Sequence, residues 1–364
     1  MSIKKQKRTL TDYLTYSAST TQSLSNGLPL DGVITQIDLD VRVTASKAYV
    51  GVAEDAIGRL LNVLRIVGPG ESAFFSVTDG RMAQWYNHFS NTVTYFDDLT
   101  STGECHALIS INFSLNPNDP YDMTCALPAN TTDKGKMSSL NLRWTCPAAT
   151  VMDGGTSPST ISTAYIYVTV HELLNAPSPL FEPRMESNDW AADNTYSDLG
   201  KKFNIPTGMF VRRVLILAND NTALSAGTTC GDIRKDDQVT RIGVTLPEEG
   251  SRRSLDVTQW EAKREGASAN VFYGDQWNEA AGAVSLNAIT RASARMGQPI
   301  GVYCVDFRRY GDLSINRWGK IAGLDQRNKA PGNLYLAMTI GSYTSGDDVH
   351  MLWDEMVPSP GKTL

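Results

Sequence analysis

At 364 residues, 41% of them apolar and 20% charged, the chain is long for a single core and suits two domains of roughly 150–200 residues. No apolar run approaches the ~20 residues that cross a bilayer as a helix. The first residues, MSIKKQKRTLTDYLTYS, lack the apolar stretch of a secretory signal, so synthesis and folding in the cytoplasm are expected. The net charge of −6 becomes −10 once Lys4, Lys5, Lys7 and Arg8 are set aside, which excludes a polyanion-binding body and leaves one short basic segment.

That segment opens the chain. Residues 1–30 read as a basic N-terminal arm, and TLTDYLTY (9–16) predicts a turn or two of helix with Leu10, Tyr13 and Leu14 on one face. Most of the chain beyond residue 30 alternates with a period of two, the β signature. GVITQIDLDVRV (32–43) puts Val33, Thr35, Ile37, Leu39, Val41 and Val43 on one face; ISINFSL (109–115), YIYVTV (165–170) and YLAMTI (335–340) behave alike. Turn-rich stretches such as NPNDPYD (116–122) and DGGTSPST (153–160) separate them.

Two short helices are predicted within this β background. Asp79 can cap one that buries Met82, Trp85, Tyr86 and Phe89, and Ser254 can cap a second with Val257 and Trp260 on its buried stripe. Trp85 and Trp260 read as structural packing residues.

These features recur in order. Gly32 and Gly208, and VLRI at 63 and VTRI at 239, stand 176 residues apart; Trp85 and Trp260, and ISIN at 109 and VSLN at 284, stand 175 apart. YIYVTV and YLAMTI are 170 apart. The collinear order predicts one β domain written twice, with domains at 31–175 and 207–348. Residues 176–206, which hold four of the prolines of NAPSPLFEPRMESNDWAADNTYSDLGKKFNIP, read as a sheet-free crossover, and 349–364 as a C-terminal tail.

Chemistry-bearing constellations are sparse. The five cysteines form no CxxC pair, which suits unpaired buried thiols in a reducing compartment. Four histidines, His88, His106, His171 and His350, form neither HxH nor HExxH, and no P-loop or GxSxG occurs, so no catalytic, cofactor or metal residues are assigned. His171–Glu172 could be an acid/base pair, but neighbours on a strand point to opposite faces. Among 39 carboxylates, two could converge to hydrolyse a glycoside. Exposed aromatics such as Trp144, Trp190, Trp277 or Trp318 could instead read sugars, against the alternative of burial.

Eight or so strands per copy fit the jelly roll. With its two glycine-led strands, a tryptophan-bearing helix in each copy (Trp85 and Trp260), the late strand PIGVYCVDF (299–307) and a basic, amphipathic N-terminal arm, the chain resembles the double jelly-roll major capsid proteins of tailless icosahedral viruses. That lineage includes adenovirus hexon and the membrane-containing phages. The resemblance implies an all-β fold of two tandem eight-stranded jelly-roll barrels with short inserted helices. It implies a non-enzymatic homotrimer, a pseudo-hexagonal capsomer that tiles an icosahedral virion beside penton and minor capsid proteins, in a bacteriophage or archaeal virus. Strands would stand perpendicular to the shell. Loops 116–138 and 147–162 would face outward, and Lys4, Lys5, Lys7 and Arg8 would face an internal membrane or the genome, or the arm would swap beneath a neighbouring subunit. A two-jelly-roll glycan hydrolase or glycan-binding module is the alternative.

Overall fold

The computed structural model describes residues 2–45, 56–89, 95–96, 104–115, 119, 121–150, 160–220, 233–234, 238–245, 253–258, 301–307, 324–327, 331–332 and 334–361. In chain order the first half holds β1 (Lys4–Thr15), β2 (Thr21–Ser23), β3 (Val33–Ala45), α1 (Ala56–Leu60), β4 (Val63–Val67), β5 (Ala73–Val77) and α2 (Arg81–His88). It continues with β6 (Tyr95–Phe96), β7 (Glu104–Asn112), β8 (Asn130–Thr131), β9 (Gly135–Lys136), β10 (Asn141–Thr145) and β11 (Ile161–Leu174). The second half holds β12 (Phe181–Ala191), β13 (Tyr196–Asn204), β14 (Phe210–Asp220), β15 (Ile233–Arg234), β16 (Val239–Thr245) and β17 (Arg253–Thr258). It ends with β18 (Val302–Asp306), β19 (Leu324–Asp325), β20 (Tyr335–Ile340) and β21 (Asp348–Pro358).

The expected duplication is present, and the sheet orders make it explicit. One sheet of the first half runs β1-β11-β3-β7 and its partner β2-β10-β4-β5. The second half repeats both orders as β12-β21-β14, with β18 on β14, and β13-β20-β16-β17. Taken in chain order these are the strands B to I of a jelly roll, in a BIDG and a CHEF sheet, in each half. The sheets are open sandwiches rather than closed barrels.

Three segment assignments are corrected by this topology. Residues 1–30 are not an arm: Lys4–Thr15 is strand B, hydrogen-bonded to β11 from Lys4↔Leu174 to Thr15↔Tyr165, and the helix expected over 9–16 is part of that strand. Residues 176–206 are not sheet-free: they carry β12 and β13, strands B and C of the second half. Of the four prolines only Pro183 lies inside a strand, ahead of the two residues at which β12 meets β5. The tail expected over 349–364 is strand as far as Pro358, because β21 is the strand between β12 and β14. The connection between the two jelly rolls is therefore only 175–180.

The bulges fix the register of the repeat. Thr35 is skipped where Gln36 pairs His171 and Ile34 pairs Glu172; Arg212 is skipped where Arg213 pairs Asp354 and Val211 pairs Glu355. Strand D of the two halves thus runs 177 residues apart, so Gly32 corresponds to Met209, one residue off the sequence alignment. YIYVTV lies on β11 and YLAMTI on β20, which are strands I and H and not equivalent. The counterpart of ISIN on β7 is β18, inside PIGVYCVDF; residues 284–287 lie outside the described residues.

The first predicted helix is α2, and Met82, Trp85, Tyr86 and Phe89 are buried, with Asp79 Oδ1 accepting the Arg81 amide at 2.9 Å. The second is not a helix over its described part. Residues 253–258 form β17, from Arg241↔Thr258 to Thr245↔Arg253 against β16, because strand F in each half must pair with strand E. Trp260 lies outside the described residues.

Each half has its own core. Ile37, Leu39, Val41, Ile166, Val168 and Val170 pack in the first, and Val214, Ile216, Met338, Met351 and Trp353 in the second. The other face of the second BIDG sheet is also buried: Met185, Leu215, Leu217, Val302, Cys304 and Leu352 join the first core. At roughly 25 cal/mol per Å² of apolar surface, that shared core couples the halves strongly.

Candidate assembly surfaces

The contact between the two jelly rolls begins with backbone. β12 adds in parallel to β5, Met185 opposite Phe75 and Glu186 opposite Ser76, so the second BIDG sheet continues into the first CHEF sheet. Side chains pin the seam. Arg184 Nη1 donates to Ser72 Oγ and to the Ala73 carbonyl, both at 2.6 Å, while its guanidinium lies 5.0 Å from the Phe74 ring centroid. The Thr78 amide donates to Ser187 Oγ at 2.8 Å, and Thr78 Oγ1 to Asp189 Oδ2 at 2.5 Å.

A buried charge cluster joins α2 of the first half to β14 and β21 of the second. Arg212 Nε donates to Asp354 Oδ2 at 2.8 Å and its Nη2 to Asp354 Oδ1 at 3.0 Å. Arg213 Nε donates to the same Oδ2 at 2.8 Å, and its Nη1 to the Phe89 carbonyl at 2.6 Å. The Tyr86 hydroxyl donates to Asp354 Oδ2 at 3.3 Å. Burial alone would raise the Asp354 pKa, but the two guanidiniums outweigh it and hold it low.

Nearby, His350 Nδ1 meets Asp189 Oδ1 at 2.7 Å, while its Nε2 lies 3.3 Å from Asp348 Oδ1 and 3.4 Å from Asp79 Oδ2. Burial opposes the imidazolium, yet Asp189, Asp348 and Asp79 carry its pKa up to about 10. Asp79 falls to about 2, burial being overcome by Arg81 first and then by His350.

The basic residues singled out in the sequence all lie on β1, at the edge of the first BIDG sheet. Lys4, Lys5 and Lys7 are exposed. Arg8 differs: its Nη2 is 2.7 Å from Asp31 Oδ2 and 3.3 Å from Glu172 Oε1. Lys4 lies at the sandwich end where β11 finishes and β3 starts. Residues 121–138 lie there too, since the Leu127 amide bonds the Ile34 carbonyl and the Asn130 amide the Gly32 carbonyl. Ile161, at the close of the other expected outward loop, pairs with Ala45 at the far end. The two loops expected to share one face therefore lie at opposite ends, because one leads out of strand G and the other into strand I.

The outer face of that sheet holds a depression of about 570 Å³ lined by Lys7, Thr9, Asp38, Asp40, Leu108 and Thr169 among others. His171 Nε2 meets Asp38 Oδ2 at 2.7 Å, and Ser110 Oγ donates to Asp38 Oδ1 at 2.7 Å. His171 faces outward while Glu172 is fully buried on the inner side, so the adjacent pair does not converge. Trp144 is core, its Nε1 donating to the Leu60 carbonyl at 3.0 Å. Trp190 packs beside Phe203 and Tyr196 with Lys201 Nζ 4.0 Å above its ring. Trp277 and Trp318 lie outside the described residues. Cys125, Cys146 and Cys304 are buried. Among the described residues no group of three or more His, Cys, Asp or Glu is arranged to hold a metal ion. What sequence reasoning missed is the seam itself; the signal was the pairing of Arg212–Arg213 with Asp354–Glu355 on strands that alternate poorly.

No family model matches the sequence, and no curated protein matches it. Solved structures do. The MCP of STIV, the Sulfolobus Turreted Icosahedral Virus, superposes with a TM-score of 0.63 at 12% identity, covering 98% of this chain and 97% of that one. The major capsid protein P2 of bacteriophage PM2 gives 0.55 at 11% identity, covering 99% and 100%. A quasi-atomic capsid structure of the virus PBCV-1 gives 0.55 at 11% identity, covering 98% and 94%. The likeness spans both jelly rolls end to end, and the chain has the double jelly-roll fold of these proteins.

Proposed function

We propose that this chain is a major capsid protein that acts by self-assembly and not by catalysis, forming a homotrimeric, pseudo-hexagonal capsomer of an icosahedral virion. The observation that carries the reading is the seam: two equivalent sandwiches are fused side by side through a shared sheet, a shared core and a buried ion network. A shell unit needs such a rigid pair. Three rigid pairs about a threefold axis present six like sandwiches in a ring, and closed symmetry lets one interface be used repeatedly. The end-to-end likeness to capsid proteins of three viruses supports the same role.

In that arrangement the sandwich end bearing Lys4 and Lys5 faces the interior, where each exposed ammonium near an anionic membrane contributes about 1 kcal/mol; the genome is the other polyanion within reach. Penton and minor capsid proteins are the expected further partners. Electron microscopy of the purified protein tests the reading. Particles with a pseudo-hexagonal outline support it, and a field of isolated two-lobed monomers at every concentration counts against it.

A further inference from the structure

We propose that strand β1 of one chain pairs in parallel with β17 of a second copy, continuing the sheet from subunit to subunit as β12 and β5 continue it within one chain. The inference rests on the capsomer reading and names the contact that builds it.

The fold itself supplies the template. Inside the chain, strand B of the second jelly roll adds to strand F of the first, Met185 opposite Phe75 and Glu186 opposite Ser76. The repeat leaves one strand B and one strand F without that partner. Strand B of the first half is β1 and strand F of the second is β17, and each is terminal in its sheet among the described residues. A twelve-residue edge with open backbone donors and acceptors is a template for another chain. Two complementary edges on one molecule make a head-to-tail contact, the kind that closes into rings.

The register is set by the bulges. Arg8 opposite Val170 corresponds to Glu186 opposite Trp353, so Lys7 corresponds to Met185. Ile66 opposite Phe75 precedes one bulge as Val244 opposite Leu255 precedes the other, so Leu255 corresponds to Phe75 and Asp256 to Ser76. The expected backbone partners are Lys7 with Leu255 and Arg8 with Asp256 of the second copy.

The surface beside β1 fits the same occupant. Met185, Leu215, Leu217, Val302, Cys304 and Leu352 are the residues of the second half that sink into the first core. Their counterparts in the first half are Lys7, Asp38, Asp40, Leu108, Ser110 and Thr169, and all of these but Ser110 line the 570 Å³ depression. The permanent, intrachain seat is apolar; its equivalent toward another copy is polar, as befits subunits that fold before they meet. The competing reading is that Lys4, Lys5 and Lys7 simply guard a free edge.

Cysteine pairing decides between them. Chains carrying Lys7→Cys and, separately, Leu255→Cys, with different tags, are co-expressed and mildly oxidised. Directly opposed strand residues lie within disulfide reach, so a covalent dimer of the two tagged chains is expected, absent when either variant is expressed alone. Trimers of the expected mass without the covalent dimer overturn the strand pairing and leave the capsomer standing; monomers throughout overturn both. If the cysteine variants fail to fold, hydrogen exchange on the unaltered trimer gives the answer. Slow exchange in 4–9 and 253–258 that becomes fast on dissociation supports the pairing, and fast exchange in both segments of the intact trimer overturns it.

Discussion

Glu172 and Glu355 occupy the same position in the two jelly rolls. Each sits on strand I, one residue past a bulge in strand D, opposite Ile34 in one case and Val211 in the other. Both are buried and both have a raised pKa, burial being the main cause. They differ in the neighbour on strand B. Glu172 faces Arg8, which opposes the rise. At Glu355 burial is joined by Glu186, the counterpart of Arg8, and by Asp354, which together outweigh the opposing Arg184 and leave the carboxyl at about 8.

These shifts give the pH dependence its sign. A carboxyl whose folded pKa lies above its unfolded value holds a proton that the unfolded chain releases, so stability falls as pH rises through that interval. For Glu355 the interval runs from its ordinary 4.5 to about 8. His350, raised from 6.5 to about 10, acts in the same direction: its contribution is full below about pH 6.5 and lost as pH rises through 10. Urea midpoints measured from pH 5 to pH 10 should therefore decline steadily. Glu355→Gln should flatten the part below pH 8 and leave the part above it.

Acid acts through other groups. Asp79, lowered from 3.8 to about 2, contributes stability above pH 3.8 that is lost as pH falls through 2, so Asp79→Asn should blunt acid sensitivity in that range. Circular dichroism during acid titration of both proteins checks this.

Removing Asp354 should be costly. Asp354→Asn leaves Arg212 and Arg213 buried with their shared counter-charge gone, and breaking a buried pair this way typically costs about 3–5 kcal/mol. Tyr86→Phe removes one hydroxyl from the same cluster and should cost about 1 kcal/mol. Chemical denaturation at fixed protein concentration measures both, and equal losses would contradict the assigned roles.

The two glycines that open strand D matter for different reasons. A Cβ on Gly32 would sit 2.6 Å from the Leu173 carbonyl oxygen, so Gly32→Ala must push strand I aside, at about 1–3 kcal/mol. Gly208 has open space but a φ of +88°, so Gly208→Ala carries only the left-handed strain, about 1–2 kcal/mol. Thermal melts should rank Gly32→Ala as the more damaging.

Those glycines also mark how far the sequence could be read. β3, β7 and β11 alternate cleanly because one face meets a core and the other meets water. Strand B of the first half does not, since Gln6, Arg8 and Asp12 share its inward face with Leu10 and Leu14, and so it passed for an arm. β21 is buried on nearly every residue, which erases alternation, and Asp354 and Glu355 give it the look of a solvated tail. Their buried partners are more than a hundred residues away in sequence. The element-level repeat survived these losses; its residue register did not, because the offset between the halves grows from 177 at Gln36 and Arg213 to 183 at Glu172 and Glu355 as the connections between strands differ in length.

Light scattering over a dilution series tests the central claim most directly. Self-assembly through preformed trimers predicts a dilution-resistant species near three times 39.8 kDa. A folded monomer of 39.8 kDa at every concentration would contradict it.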